Sequence, residues 1–257
     1  MQRLLSPMHH TARLLPITAL SATQRHAMAA LYLAHYNASS PALFQRDLSA
    51  KDEVIVLEHE GALAGFTALQ TWPLRWRGQD MRVLYSGDTI VAPAHWGQQT
   101  LALAWLERVG LLLRQAPPGG LWWFLLVKGH RTYKYLSTFA RAFHPHWAQA
   151  HPGWQALADH LAAQRFGLQY NPATGVVRFD SPQGHLRPEL VGASPADAHK
   201  PATAHFLARN PGYRQGDELG EIGGNRGQIT ISLRLALPHP DTQRRYSQRR
   251  TRAVYRA

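Results

Sequence analysis

Arg82-Val83-Leu84-Tyr85-Ser86-Gly87-Asp88-Thr89-Ile90-Val91 and, further on, Leu121-Trp122-Trp123-Phe124-Leu125-Leu126-Val127 decide the fold. The first run is rich in β-branched and aromatic residues and reads as a strand. The second is apolar throughout, as expected of a strand covered on both faces. Between them, Ala92-Pro93-Ala94-His95-Trp96-Gly97-Gln98-Gln99 breaks the pattern. Pro93 stops a ladder, and Gly97 permits a sharp turn. Thr100 to Leu113 carries Leu101, Trp105 and Leu112 at helical spacing, and Pro117-Pro118-Gly119-Gly120 ends that helix. Strand, turn, helix and strand make a βαβ unit with two parallel strands. The turn offers an anion the backbone N–H groups and positive end of the helix.

Upstream, Ser21 with Gln24 has the spacing of a capping box, predicting a helix to about Tyr36. Ser40-Pro41 opens a second short helix through Leu48. Val54 to Glu58 and Leu63 to Thr71 form a hairpin about Glu60-Gly61, with Pro73 bending its continuation at a sheet edge. Downstream, helices are expected from His130 to about Phe143 and from Trp154 to Gln164. A hairpin follows at Phe166–Tyr170 and Val176–Phe179. Ser181 to Ala202 reads as a loop or linker, Thr203 to Arg209 as a short helix, and Ile229 to Leu237 as a strand. The first twenty residues read as a polar, frayed start.

The chain has 257 residues with 45% hydrophobic content, suiting one large folded domain or two small ones. It has no cysteine, which excludes disulfides, thiolate metal sites and a cysteine nucleophile. A reducing, cytoplasmic setting is expected. No apolar run reaches membrane-spanning length, so no membrane partner is expected. The net charge is +12; from Asp241 to the end, six arginines and one acid supply 6 − 1 = +5 of it. A basic surface suits polyanions in general. Neither zinc-finger spacing nor an aromatic-interleaved motif accompanies the arginines, so nucleic acid is not the expected partner. His9-His10 and His144-Pro145-His146 lack the spacing of a known metal site, so no metal is predicted.

The order of elements from Leu14 to Phe179 resembles the GNAT (Gcn5-related N-acetyltransferase) superfamily, most sharply over Tyr85 to Phe143. The resemblance implies an α/β fold with a mixed, mostly antiparallel sheet, parallel only at the central βαβ pair. It implies a GNAT-like domain over 1–180, an extension over 181–240 packing on or near that core, and a basic tail over 241–257. In that family the turn carries Arg/Gln-x-x-Gly-x-Gly/Ala, whose amides hold the pyrophosphate of an acyl-coenzyme A. Here it reads Ala94-His95-Trp96-Gly97-Gln98-Gln99-Thr100. Gly97 matches, the leading Arg or Gln is absent, and Gln99 replaces the second glycine. The family also splays the two parallel strands and lays the pantetheine arm in the wedge. The resemblance thus implies a cofactor site of Ile90, Val91, His95, Trp96, Gly97, Gln98, Gln99 and Thr100, with Lys128 and Arg131 near the strand end.

Asp88 is the one carboxylate in its strand. A carboxylate there needs a partner, and burial that raises its pKa would suit a general base. A tyrosine on the helix after the wedge often acts as general acid in the family, which points to Tyr133 or Tyr135. The implied activity is transfer of an acyl group from acetyl-CoA or another acyl-CoA to an amine. The weak phosphate turn also admits an acyl carrier protein thioester, and an acidic carrier would suit the positive surface. The acceptor would be a small-molecule amine or a peptide. The other readings are a GNAT-like binding module without catalysis and a nucleic-acid-associated protein that uses its basic tail.

Overall fold

A computed structural model describes residues 9–140 and 142–225 of the chain. The expected strand at 229–237 and the arginine tail lie outside them. Chain order is β1 (His10–Pro16), α1 (Ala22–His35), β2 (Tyr36–Asn37), α2 (Pro41–Ser49), β3 (Glu53–His59), β4 (Ala62–Trp76) and β5 (Gln79–Val91). Then come α3 (Thr100–Arg114), β6 (Leu121–Val127), α4 (His130–Phe139), β7 (Ala142–His144), α5 (Pro152–Phe166), β8 (Tyr170–Asn171) and β9 (Val176–Val177). The described part ends with β10 (His185–Leu186), α6 (Pro188–Val191), α7 (Pro195–Ala198), α8 (Pro201–Arg209) and β11 (Glu218–Asn225).

The main sheet runs β1-β3-β4-β5-β6-β11-β9-β8, with β7 also on β11. Among the described strands only β5 and β6 are parallel, as the βαβ reading and the family resemblance imply. Alternation along the strands divides the core. Val54, Val56 and Phe66 face α1 and α2, while Val83, Tyr85, Trp122 and Phe124 join Leu157 and Leu161 of α5. Ile55, Leu84, Trp123 and Leu125 meet α3 and α4 on the opposite face. Trp122 and Trp123 therefore bury on opposite faces, so β6 is covered on both sides.

Local chemistry starts the helices where expected. Ser21 Oγ accepts from Gln24 N (3.1 Å), and Gln24 Oε1 accepts from Ser21 N (3.0 Å). Ser40 Oγ accepts from Leu43 N (3.1 Å), with Pro41 in the first turn. Pro73 does not bend β4 away: β4 stays paired with β5 as far as Trp76 and Gln79.

Two further expectations are corrected. Residues 10–16 are not frayed but form the edge strand β1, held along β3 from His10 opposite His59 to Pro16 opposite Glu53. Such pairing is carried by backbone groups and leaves little trace in a short run. Residues 181–202 are not a plain linker: they contribute β10, which pairs with β2, and the short helices α6 and α7. Beyond them, glycine-rich β11 enters the middle of the sheet, paired with β6 from Leu219–Val127 to Asn225–Leu121.

Candidate active site

The two parallel strands hold together only at their beginnings. Pairing runs from Arg82 opposite Leu121 to Ser86 opposite Leu125 and then stops. Each strand keeps its outer neighbour, β4 for β5 and β11 for β6. Past Ser86 and Leu125, the inner edges therefore face each other across a V without ladder bonds. Ser86 fixes the vertex, because its Oγ accepts from Trp123 Nε1 (2.9 Å) and Trp105 Nε1 (3.3 Å). Ser86→Ala strands two buried indole donors and is expected to lower stability by about 2 kcal/mol in chemical denaturation, against little change for Ser86→Thr.

A cavity of about 960 Å³ fills the V. Asp88 lies in its wall, where β5 bulges: Asp88 and Thr89 together oppose Thr67, and Asp88 adopts φ +35°. That left-handed conformation suits Asp or Asn better than most residues. The bulge turns the carboxyl toward Asp47 of α2, with which it shares a hydrogen bond. Burial, then the charge of Asp47, pushes the Asp88 carboxyl up to about 7. Burial alone would raise Asp47 too, yet Lys51 holds it below the usual carboxylate range. Lys51 Nζ lies 2.7 Å from Asp47 Oδ2, and its side chain is 0% exposed. It runs beneath Gly87, where an added Cβ would stand 3.0 Å from Lys51 Cε. Glycine there lets the lysine reach the carboxylates.

Across the cavity, Lys128 pairs with Glu218 of β11 (3.2 Å), donates to Gln183 O (2.9 Å) and sits over the Tyr36 ring. Burial raises the Glu218 carboxyl, opposed by Lys128. Burial would depress Lys128, but the charges of Glu218, Tyr32, Tyr36 and Asp88 together outweigh it and raise the ammonium. This end of the cavity thus holds a matched ion pair, not a bare cation. Gln183, Leu186, Leu190 and Val191 cover the cavity from 181–191, so that segment roofs the site.

The other end is the turn between β5 and α3. His95, Trp96, Gly97 and Gln98 line the cavity, while Gln99 and Thr100 do not. Gly97 takes φ +88°. Gln98 Oε1 accepts from Leu101 N (3.2 Å), so the chain's own side chain occupies one amide of the first helical turn. Trp96 Nε1 donates to Val91 O (2.7 Å), and Arg131 lies over the half-exposed Trp96 ring.

Of the candidates read from sequence, Asp88, Ile90, Val91, His95, Trp96, Gly97, Gln98, Lys128, Arg131 and Tyr135 line one cavity. Tyr133 and Tyr135 are two residues apart on a helix and point about 200° apart. Tyr135 takes the cavity side, where burial raises its phenol. Tyr133 is wholly buried among Phe143, His205 and Phe206, and its hydroxyl donates to Pro145 O (2.9 Å). Sequence reasoning missed Asp47, Lys51 and Glu218. Asp47 and Lys51 are spaced i,i+4, but nothing in that spacing says the pair faces a cleft.

No family model matches the chain, and no curated protein is significantly similar to it in sequence. Solved structures do resemble it. A probable N-acyltransferase from Enterococcus faecalis V583 aligns at TM-score 0.39 and 14% identity over 52% of this chain and 33% of its own. The chain thus spans about a third of that protein. The GNAT family N-acetyltransferase YhbS from Escherichia coli, solved with CoA, aligns at TM-score 0.37 and 16% identity, covering 52% of this chain and 70% of its own. Escherichia coli ElaA aligns at TM-score 0.36 and 17% identity, covering 53% and 88%. Of these three, YhbS is described as a GNAT family N-acetyltransferase. Among the described residues no helix is long and apolar enough to cross a membrane.

Proposed function

We propose that this chain is a divergent GNAT-type N-acyltransferase that moves an acyl group from acyl-CoA to an amine. The observation that carries the reading is the V past Ser86 and Leu125, with a half-buried carboxyl tuned to about 7 in its wall. Open strand edges offer N–H and C=O groups to the amide-bearing arm of a thioester, in the manner of an added strand. Asp88 offers a neutral amine a hydrogen-bond acceptor in the cavity wall. Asp88 takes a proton from the amine. The nitrogen attacks the thioester carbonyl carbon, whose oxygen is polarised by a strand-edge N–H; the C–N bond forms and the C–S bond breaks. Tyr135 protonates the leaving thiolate. No enzyme-bound acyl intermediate is required.

The donor end supports a second form of this reading. Ala94 stands where the motif has a cation or amide, and Gln98 occupies an amide of the helix. Both weaken the hold on a pyrophosphate and favour a donor anchored elsewhere, as a carrier-protein thioester is. Titration calorimetry and thiol-release assays with an amine panel, using acetyl-CoA and acyl-pantetheine, test both forms. Binding of acetyl-CoA with amine-dependent thiol release supports the first. Equal weak binding of both donors supports the second. No binding and no release from either would overturn acyl transfer. Tyr135→Phe is expected to slow release about 100-fold or more with KM for the donor little changed.

A further inference from the structure

Three histidines converge at the edge of the sheet beside the donor turn. His10 at the start of β1 lies directly opposite His59 at the end of β3. His95 ends the turn that follows β5 and reaches the same place. His10 Nε2 and His95 Nδ1 are 3.1 Å apart, and the ring centroids are 4.5, 4.9 and 5.1 Å from one another. One ring nitrogen from each lies within 4.8 Å of the other two. All three rings are half-buried, and His59 Nδ1 is buried with no hydrogen-bond partner.

We infer that His10, His59 and His95 form a binding site for a borderline divalent cation of the Zn²⁺ class. Neutral imidazoles are the commonest ligands for such ions. In a tetrahedral site with Zn–N near 2.0–2.1 Å, ligand nitrogens stand roughly 3.4 Å apart. The His10–His95 gap is already close to that, and modest ring rotation brings in the third donor. The stranded His59 nitrogen gains the partner that burial otherwise denies it. Three protein ligands leave a fourth position for water or an external donor. The ion would tie β1, β3 and the 93–95 turn together, bracing the cavity wall at His95. Positions 10, 59 and 95 carry no local spacing signal, so only the fold reveals the site. It stands apart from the acyl-transfer reading and does not depend on it.

The test uses the full chain without a histidine tag, stripped by chelator and dialysed. ZnCl₂ titration by calorimetry is expected to fill one tight equivalent per chain. His59→Gln and His10→Gln are each expected to weaken that equivalent at least about 100-fold, with His199→Gln as a surface control that leaves it intact. Co²⁺ substitution of the unmutated chain is expected to give the intense visible bands of a tetrahedral site, removed by added Zn²⁺. Absence of a tight equivalent, its survival in both ligand variants, or a weak octahedral Co²⁺ spectrum would each overturn the assignment. The Co²⁺ reading holds even if a variant fails to fold.

Discussion

Asp88→Asn is expected to lower acyl transfer by about 10²- to 10⁴-fold, the usual contribution of a positioned general base. Asparagine has nearly the same shape and tolerates the positive φ at this position, so the bulge survives. The unsubstituted chain should gain rate as pH rises through about 7, where Asp88 loses its proton. The variant should lose that limb. Stability should move the other way. The folded Asp88 keeps a proton that the unfolded chain releases near 3.8, so the folded state binds more protons between about 4 and 7. Stability therefore falls as pH rises across that window. The variant escapes this loss and should melt higher than the parent chain at pH 8, with little difference at pH 4. A variant that is slow and also less stable at pH 8 would mean that Asp88 is structural.

Lys51→Met is expected to cost about 3 kcal/mol and to move the rate profile to higher pH. The methionine fills the same space beneath Gly87 but removes the cation that pairs with Asp47 and draws down the Asp88 carboxyl. Breaking a buried pair from one side leaves its partner uncompensated. Half of Asp47 remains open to water, which places the cost at the low end of the usual range of about 3–5 kcal/mol. The positive charge of Lys51 pulls the Asp88 pKa down, so its loss should push the rising limb above 7. Denaturant titration and a pH–rate profile read the two effects separately. An unchanged profile with lowered stability would confine Lys51 to packing.

Much of this architecture is legible because the sequence punctuates it. The β-branched and aromatic content of Arg82–Val91, the break at Pro93 and Gly97, and the unbroken apolar run of β6 identify the βαβ unit. Asp88 stands out as the lone acid of the Arg82–Val91 run. Tyr133 and Tyr135 could not be separated, since the choice depends on how α4 is rotated against the sheet. Strand β11 escaped because glycine is depleted in strands. The structure gives its physical reason: a Cβ on Gly223 would lie 3.0 Å from Ala140 Cβ and 3.1 Å from Leu136 Cδ2, so glycine lets α4 pack against the strand. The Asp47–Lys51 pair has a local i,i+4 spacing, but that it faces the cleft depends on how α2 packs against β5. The three histidines depend on contacts between distant elements, and no spacing within the chain encodes them.

Hydrogen exchange of the full chain with and without acetyl-CoA tests most directly whether the V accepts a thioester arm. Amides of 87–91 and 126–129 are expected to slow on addition of the ligand, because open strand edges gain partners. Amides of β3 and of the Arg82–Ser86 segment, already bonded within the sheet, should not change. Saturating ligand that leaves 87–91 and 126–129 exchanging as before would contradict the account.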